Sequence, residues 1–195
     1  MTSRKVSVPR RWRQEVSRVL ISKAQLERRV NALAREIERD YSGRELVIVS
    51  LLNGTVMFLA DLIRRLTLPL RLDFVGVSSY RGGAESRELI FTKELRLDVR
   101  ARDVLLVDDI LDTGKTLNTV LGRIRLLRPR EIKICVLLDK PSRRIEKVRP
   151  DYVGFEIPDL FVVGYGLDFA ERYRNLPFVA LLHREIYARD GTSGS

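Results

Sequence analysis

Three short runs constrain this chain more than any other feature: LVIVSLL at 46–52, VLLV at 104–107 and IKICVLL at 132–138. Each is rich in β-branched residues and apolar at odd and even positions alike. A strand with one wet face alternates apolar and polar residues. A strand apolar on both parities is covered on both sides, which is the condition of a parallel sheet with helices over its faces. The segments between the runs supply such helices. VMFLADLIRRL (56–66) follows an Asn53-Gly54 turn, and TLNTVLGRIRLL (116–127) ends before Pro129. LDFVGVSS (72–79), DYVGFEI (151–157) and FVALL (178–182) read as further strands, and LIFTKEL (89–95) as an exposed one. Strands and helices in alternation imply βαβ units with right-handed crossovers. The expected class is α/β, with a mostly parallel twisted sheet flanked by helices.

Upstream, Ser22-Lys23-Ala24-Gln25 fits a capping box, in which the Ser22 hydroxyl and the Gln25 amide satisfy the open N–H groups of a helix start. Leu26, Val30, Leu33 and Ile37 follow at helical spacing, so one amphipathic helix runs to about Asp40. Tyr41-Ser42-Gly43 ends it. At 195 residues the chain suits one domain, and no repeat or linker interrupts it. The expectation is a single domain over 1–195 with flexible tails at 1–10 and 190–195. The one cysteine, Cys135, excludes an internal disulfide framework or a cysteine zinc cluster and reads as core. No run reaches the ~18 apolar residues of a membrane span. The first residues, MTSRKVSVPRRWRQEV, lack the apolar core of a secretion signal. A cytoplasmic protein without a membrane partner is expected.

Charge raises a different possibility. The chain has 36 basic and 26 acidic residues, net +10, which invites a nucleic-acid reading. The excess is uneven, however: residues 1–44 hold twelve basic and five acidic residues.

The acids gather elsewhere, in VLLVDDILDTGKTL (104–117), where a buried strand runs into Asp108 and Asp109. In such sheets ligands collect at the carboxyl ends of strands. Gly114 then opens a helix between Thr113 and Thr116, and the free N–H groups and positive dipole end of a helix start suit a phosphate. Adjacent carboxylates suit a sugar diol, or magnesium through water. Gly114-Lys115-Thr116 is not a triphosphate P-loop. That motif needs glycine five positions before its second glycine, where this chain has Asp109.

VDDILDTGKT resembles the phosphoribosyl-pyrophosphate (PRPP) signature of type I phosphoribosyltransferases. Asp112 narrows the resemblance to the hypoxanthine-guanine phosphoribosyltransferases. LLNGTVMFLADL (51–62), VSSYRGG (77–83) and DYVGFEIPDLFVVGYGLDFAERYRNLP (151–177) match in the same order, so the likeness covers about Val19 to Leu182. It implies the type I phosphoribosyltransferase fold, with a small hood built from N- and C-terminal segments. It also implies transfer of the phosphoribosyl group of PRPP to N9 of hypoxanthine or guanine, giving IMP or GMP and pyrophosphate, with Mg²⁺ as cofactor and a homodimer or homotetramer as the assembly.

Carried over residue by residue, Asp108 and Asp109 would hold the ribose hydroxyls, one of them through Mg²⁺. Asp112 would stand at purine N7 as acid/base. Asp112, Thr113, Gly114, Lys115 and Thr116 would wrap the 5′-phosphate. Lys140 would donate to the exocyclic O6, Phe161 would stack on the base and Val162 would read its edge through the backbone. Asp168 would bind a second Mg²⁺ and Arg174 the pyrophosphate. Ser79 and Tyr80 would close with a lid from Tyr80 to Glu88. Asn53 and Gly54 would bind pyrophosphate by backbone N–H across a cis peptide. Here Asn53 replaces a lysine common in the family, which removes a cation. Taken alone, Lys140, Asp168 and Arg174 are ordinary surface charges and Phe161 ordinary core, so their roles rest on the resemblance. The alternative is a regulator on the same fold that binds RNA or DNA through its basic surface. The acids at the signature argue against it, since a basic field also attracts PRPP and pyrophosphate. No nucleic-acid partner is therefore expected.

Overall fold

The computed structural model describes residues 8–79 and 89–188. Tyr80 and the remainder of the expected lid lie outside them, as do most of the expected tails. In chain order the elements are β1 (Val16–Ile21), α1 (Lys23–Asp40), β2 (Leu46–Leu52), α2 (Val56–Ile63), β3 (Leu70–Ser79), β4 (Leu89–Lys93), β5 (Asp103–Leu111), α3 (Lys115–Leu126), β6 (Glu131–Asp139), β7 (Tyr152–Glu156), β8 (Val162–Val163), β9 (Val179–Leu182) and α4 (Arg184–Ala188). They fall into two compact units: residues 30–159, and residues 1–29 together with 160–195.

The larger unit is a six-stranded sheet in the order β4-β3-β2-β5-β6-β7. Strands β3, β2, β5, β6 and β7 are parallel to their neighbours, while β4 lies antiparallel on the β3 edge. This is the buried parallel sheet the apolar runs imply. Val47, Ile48, Val49, Val104, Leu105, Leu106 and Val107 are fully enclosed. One core cluster joins these strands to Leu117, Val120, Leu121 and Ile124 of α3. From β2 the chain winds outward to β3, then returns to place β5 on the other side of β2. The carboxyl ends of β2 and β5 therefore sit side by side where the winding reverses, the place at which open α/β sheets form a ligand crevice.

Two boundaries differ from the sequence reading. β5 does not stop at Val107: the backbone keeps pairing with β6 through Asp108↔Val136 and Leu111↔Asp139. Apolarity ends before the strand does, because ladder hydrogen bonds are indifferent to the side chain. Helix α2 stops at Ile63 rather than running to 66. Arg64 Nε donates to the Ala60 carbonyl at 3.0 Å and Arg65 Nη1 to the Asp61 carbonyl at 2.5 Å, so side chains take over the orphan carbonyls of the last turn.

The smaller unit carries an antiparallel sheet of order β1-β9-β8. Its core gathers Val16, Val163, Tyr173, Leu176, Phe178, Ala180 and Leu182, with Val8 and Trp12 packed against them. Trp12 lies 5.1 Å from the Tyr173 ring, so it anchors the N-terminal segment. Strand β1, with Ser17 and Arg18 exposed and two register shifts against β9, has no clean alternation by which to read it. β8, at two residues, is too short to have one. The Ser22–Gln25 capping box forms as expected: the Ser22 amide donates to Gln25 Oε1 at 2.9 Å, and the Gln25 amide to Ser22 Oγ at 3.4 Å.

Candidate active site

A cavity of about 390 Å³ opens in the larger unit at the ends of β2 and β5. Its wall includes Asp108, Asp109, Asp112, Thr113, Gly114 and Thr116, six of the residues singled out from sequence, together with Leu52, Val77 and Arg143. Lys115 is exposed on the first turn of α3 and is not among the lining residues.

β5 delivers Asp108 buried and Asp109 half-buried. Thr55 Oγ1 lies 3.3 Å from Asp108 Oδ1, and the Asp109 amide donates to the same oxygen at 3.0 Å. Burial, and then the neighbouring Asp109 charge, push the Asp108 carboxyl well above its ordinary range. This is an acid prepared for a positive partner. The β2 end packs closely on the acids: a Cβ on Gly54 would overlap the Asp109 carboxylate, which would have to move to make room. The Leu52–Asn53 peptide bond is cis. Asn53 itself is exposed.

The Thr113-Gly114 loop follows. Gly114 takes φ +86°, a left-handed conformation natural to glycine, and leads directly into Lys115 of α3. The loop thus delivers the amino end of a helix to the same cavity as the two acids, an arrangement suited to a phosphate. At the β6 end, Lys140 is buried, its amide donates to the Leu111 carbonyl at 3.0 Å, and its ammonium lies 3.7 Å from Asp159. Arg143 Nε donates to Asp112 Oδ1 at 3.1 Å.

The smaller unit holds the other expected residues. Phe161 is 43% exposed and meets Phe169 edge-on at 5.6 Å and Tyr187 at 5.2 Å. Val162 is buried and pairs with Leu181. Asp168 accepts the Glu171 amide at 3.0 Å and pairs with Arg174 Nη1 at 3.0 Å. Arg174 also donates to the Gly166 carbonyl and to Glu171. Ser79 is the last residue of β3.

Three residues went unnoticed in the sequence: Thr55, Arg143 and Asp159. Thr55 carries a faint signal as a polar residue before an apolar helix. Arg143 and Asp159 carry none, because one more arginine in Pro-Ser-Arg-Arg, or an acid after Ile157-Pro158, looks like any surface charge.

Among the described residues no cluster of three or more His, Cys, Asp or Glu forms a metal cage. One buried acid beside a second fits a different style of binding, in which one or two carboxylates hold a hydrated magnesium that a diphosphate also chelates. Among the described residues, no helix is long and apolar enough to cross a membrane.

The phosphoribosyl transferase domain family matches residues 20–170. A hypoxanthine phosphoribosyltransferase of Salmonella typhimurium is 48% identical over 164 residues, covering 83% of this chain and 92% of that protein. The bifunctional protein TilS/HprT of Listeria monocytogenes is 43% identical over 175 residues, but the chain spans only 27% of its length. The crystal structure of a hypoxanthine phosphoribosyltransferase from Staphylococcus aureus superposes with a TM-score of 0.88 at 40% identity, covering 93% of this chain and 99% of that one. The match extends over the sheet, the acids at the end of β5 and the Thr-Gly loop that opens α3, and on that ground the chain belongs to the phosphoribosyltransferase family, in its hypoxanthine-guanine branch.

Proposed function

We propose that this protein transfers the 5-phosphoribosyl group of PRPP to N9 of hypoxanthine or guanine, releasing pyrophosphate, as a purine salvage enzyme of the cytoplasm. One observation carries the reading: a single cavity joins the acids Asp108, Asp109 and Asp112 to a phosphate loop at the start of α3. A ribose phosphate needs that combination, with carboxylates for its hydroxyls and amides for its phosphate.

Displacement at the anomeric carbon builds positive charge on the ribose ring. Asp108 and Asp109 present fixed negative charge to that ring, stabilising the transition state more than the ground state. The amides of residues 112–116 hold the 5′-phosphate, helped by the Thr113 and Thr116 hydroxyls. Asp112 holds the N7 proton while N9 attacks, a contribution of roughly 10²–10⁴-fold for a positioned acid or base. Lys140 donates to O6. The 6-amino group of adenine cannot accept that bond, and a buried ammonium left without it discriminates against the wrong base. Asp108 or Asp109 would hold a magnesium ion, which when bound would supply charge neutralisation for the diphosphate leaving group. The family resemblance gives Phe161 and Val162 their roles at the base, Asp168 a second metal, and Arg174, Asn53 and Gly54 the pyrophosphate; it also supports a homodimer or homotetramer. The names of the relatives favour a transferase over an RNA- or DNA-binding regulator on the same fold.

The test is direct. Protein, PRPP and Mg²⁺ are mixed with hypoxanthine, guanine, xanthine or adenine, and nucleotide is measured. IMP or GMP is the expected product, with adenine left unreacted; absence of product from every 6-oxopurine overturns the reading.

A further inference from the structure

Lys140 and Asp112 address neighbouring atoms of a purine, O6 and N7, in the proposed reaction, and the larger unit ties them together through two residues that carry no assigned role. The Lys140 ammonium lies 3.7 Å from Asp159 Oδ1. The other oxygen of that carboxylate lies 3.7 Å from Arg143 Nη1. Arg143 Nε in turn donates to Asp112 Oδ1 at 3.1 Å. The signs alternate along the row: cation, anion, cation, anion.

The backbone makes this row stiff. The Lys140 amide is bonded to the Leu111 carbonyl, and the amides of Ile145 and Glu146 both donate to the Thr113 carbonyl, at 2.9 and 3.0 Å. Residues 140–146 are therefore stitched at both ends to the segment that carries Asp112. Between the stitches, a 3₁₀ turn over Pro141–Arg143 bonds the Arg143 amide to the Lys140 carbonyl. Asp159 is tied in from the other side, where the Ile157 amide donates to the Asp139 carbonyl at 2.9 Å.

The distances differ in kind, and the difference is informative. At 3.7 Å, Asp159 attracts the Lys140 ammonium without taking a hydrogen bond from it, so the three N–H donors of the lysine stay available to a carbonyl. At 3.1 Å, Arg143 does bond Asp112, but through one carboxylate oxygen, which leaves the second to face a ligand. A long ammonium chain with no nearby anion would spread over many rotamers, and each costs selectivity when the base arrives.

We infer that Asp159 and Arg143 are a positioning pair that sets the spacing between the O6 donor Lys140 and the N7 carboxylate Asp112, with Asp159 determining specificity for 6-oxopurines. This rests on the proposed transfer reaction. The experiment is steady-state kinetics of Asp159→Asn, Arg143→Gln and Arg143→Lys beside the unaltered protein, varying hypoxanthine, guanine, adenine and PRPP in turn. Asp159→Asn is expected to raise the KM for hypoxanthine roughly tenfold and to narrow the preference over adenine, with the PRPP KM within about twofold. Arg143→Gln is expected to lower kcat by about tenfold, and Arg143→Lys, which keeps a cation, to restore most of it. An unchanged purine KM in Asp159→Asn overturns the inference. So does a rise in purine and PRPP KM together, which marks a merely structural role, and so does equal loss in both Arg143 variants. If the unaltered protein turns over no 6-oxopurine, the parent reading fails instead, so the two failures are separable.

Discussion

Strand β5 carries a buried aspartate near each end, and the two sit in opposite electrostatic surroundings. Asp103, at the amino end, is fully enclosed. Arg130 Nε donates to its Oδ1 at 2.7 Å, a second Arg130 nitrogen meets its Oδ2, and Arg44 lies 3.5 Å away. The Arg130 hydrogen bond leads in holding that carboxyl below its ordinary range, against the opposing effect of burial. Asp108, five residues on, accepts the Thr55 hydroxyl and the Asp109 amide on one oxygen and has an acid beside it. Burial pushes its carboxyl up. One residue type on one strand is made stabilising at one end and costly at the other. The amino end of the strand serves the fold, whereas at the carboxyl end the charged form of Asp108 is disfavoured by burial and by the neighbouring acid.

That contrast can be broken by mutation. The largest effect is expected from Asp112→Asn, which keeps the shape of the loop but removes the proposed base. It should lower kcat by roughly 10²–10⁴-fold with an unchanged melting temperature. A near-normal rate removes Asp112 from the chemistry. Asp108→Asn should lower kcat/KM for PRPP by about 100-fold and at the same time raise the melting temperature by roughly 2–4 °C, the equivalent of about 1 kcal/mol in a chain of this size. A fall in both would mean that Asp108 is a structural acid like Asp103.

Asp103→Asn should do the reverse. Loss of its charge-assisted bonds costs about 2 kcal/mol of stability with little change in kcat. The pH dependence sharpens this further. Because the folded carboxyl of Asp103 is depressed, its contribution is complete above the unfolded value of about 3.9 and is lost as pH falls through the folded value. Asp73, bonded to Lys93 and to the amides of Phe74, Arg96 and Leu97, is depressed likewise and acts in the same window. Acid unfolding of Asp103→Asn should therefore be shallower than that of the unaltered protein, as followed by circular dichroism. Asp108 acts with the opposite sign: its raised carboxyl costs stability as pH climbs above the unfolded value, and Asp108→Asn removes that cost. The smallest effect is expected from Asn53→Lys, which adds a cation to the turn proposed to bind pyrophosphate. It should change the PRPP KM by a few-fold and leave the purine KM alone; an unchanged PRPP KM dismisses the substitution as neutral.

Much of this was legible because burial on both faces leaves a compositional trace. β2, β5 and β6 announce themselves by apolar runs, and Asp108 and Asp109 stand out because they end one. The Thr113-Gly114 turn is readable for a similar reason, since a left-handed position before a helix favours glycine. The unread parts lack such a trace. β1 and β8 depend on partners far along the chain, β9 among them. Arg143 and Asp159 are ordinary charges until the folded chain sets one against Asp112 and the other beside Lys140.

The sequence by itself therefore determined the class of fold, the strand ends at which a ligand would sit and the acids that would meet it, because local periodicity and residue chemistry carry that information. Only the tertiary structure decided which of the two buried aspartates on β5 is balanced by arginine, that Gly54 sits against the Asp109 carboxylate, and that Asp159 spans Lys140 and Arg143. Those are distances between residues tens of positions apart, and such distances exist only once the sheet has brought the strand ends together.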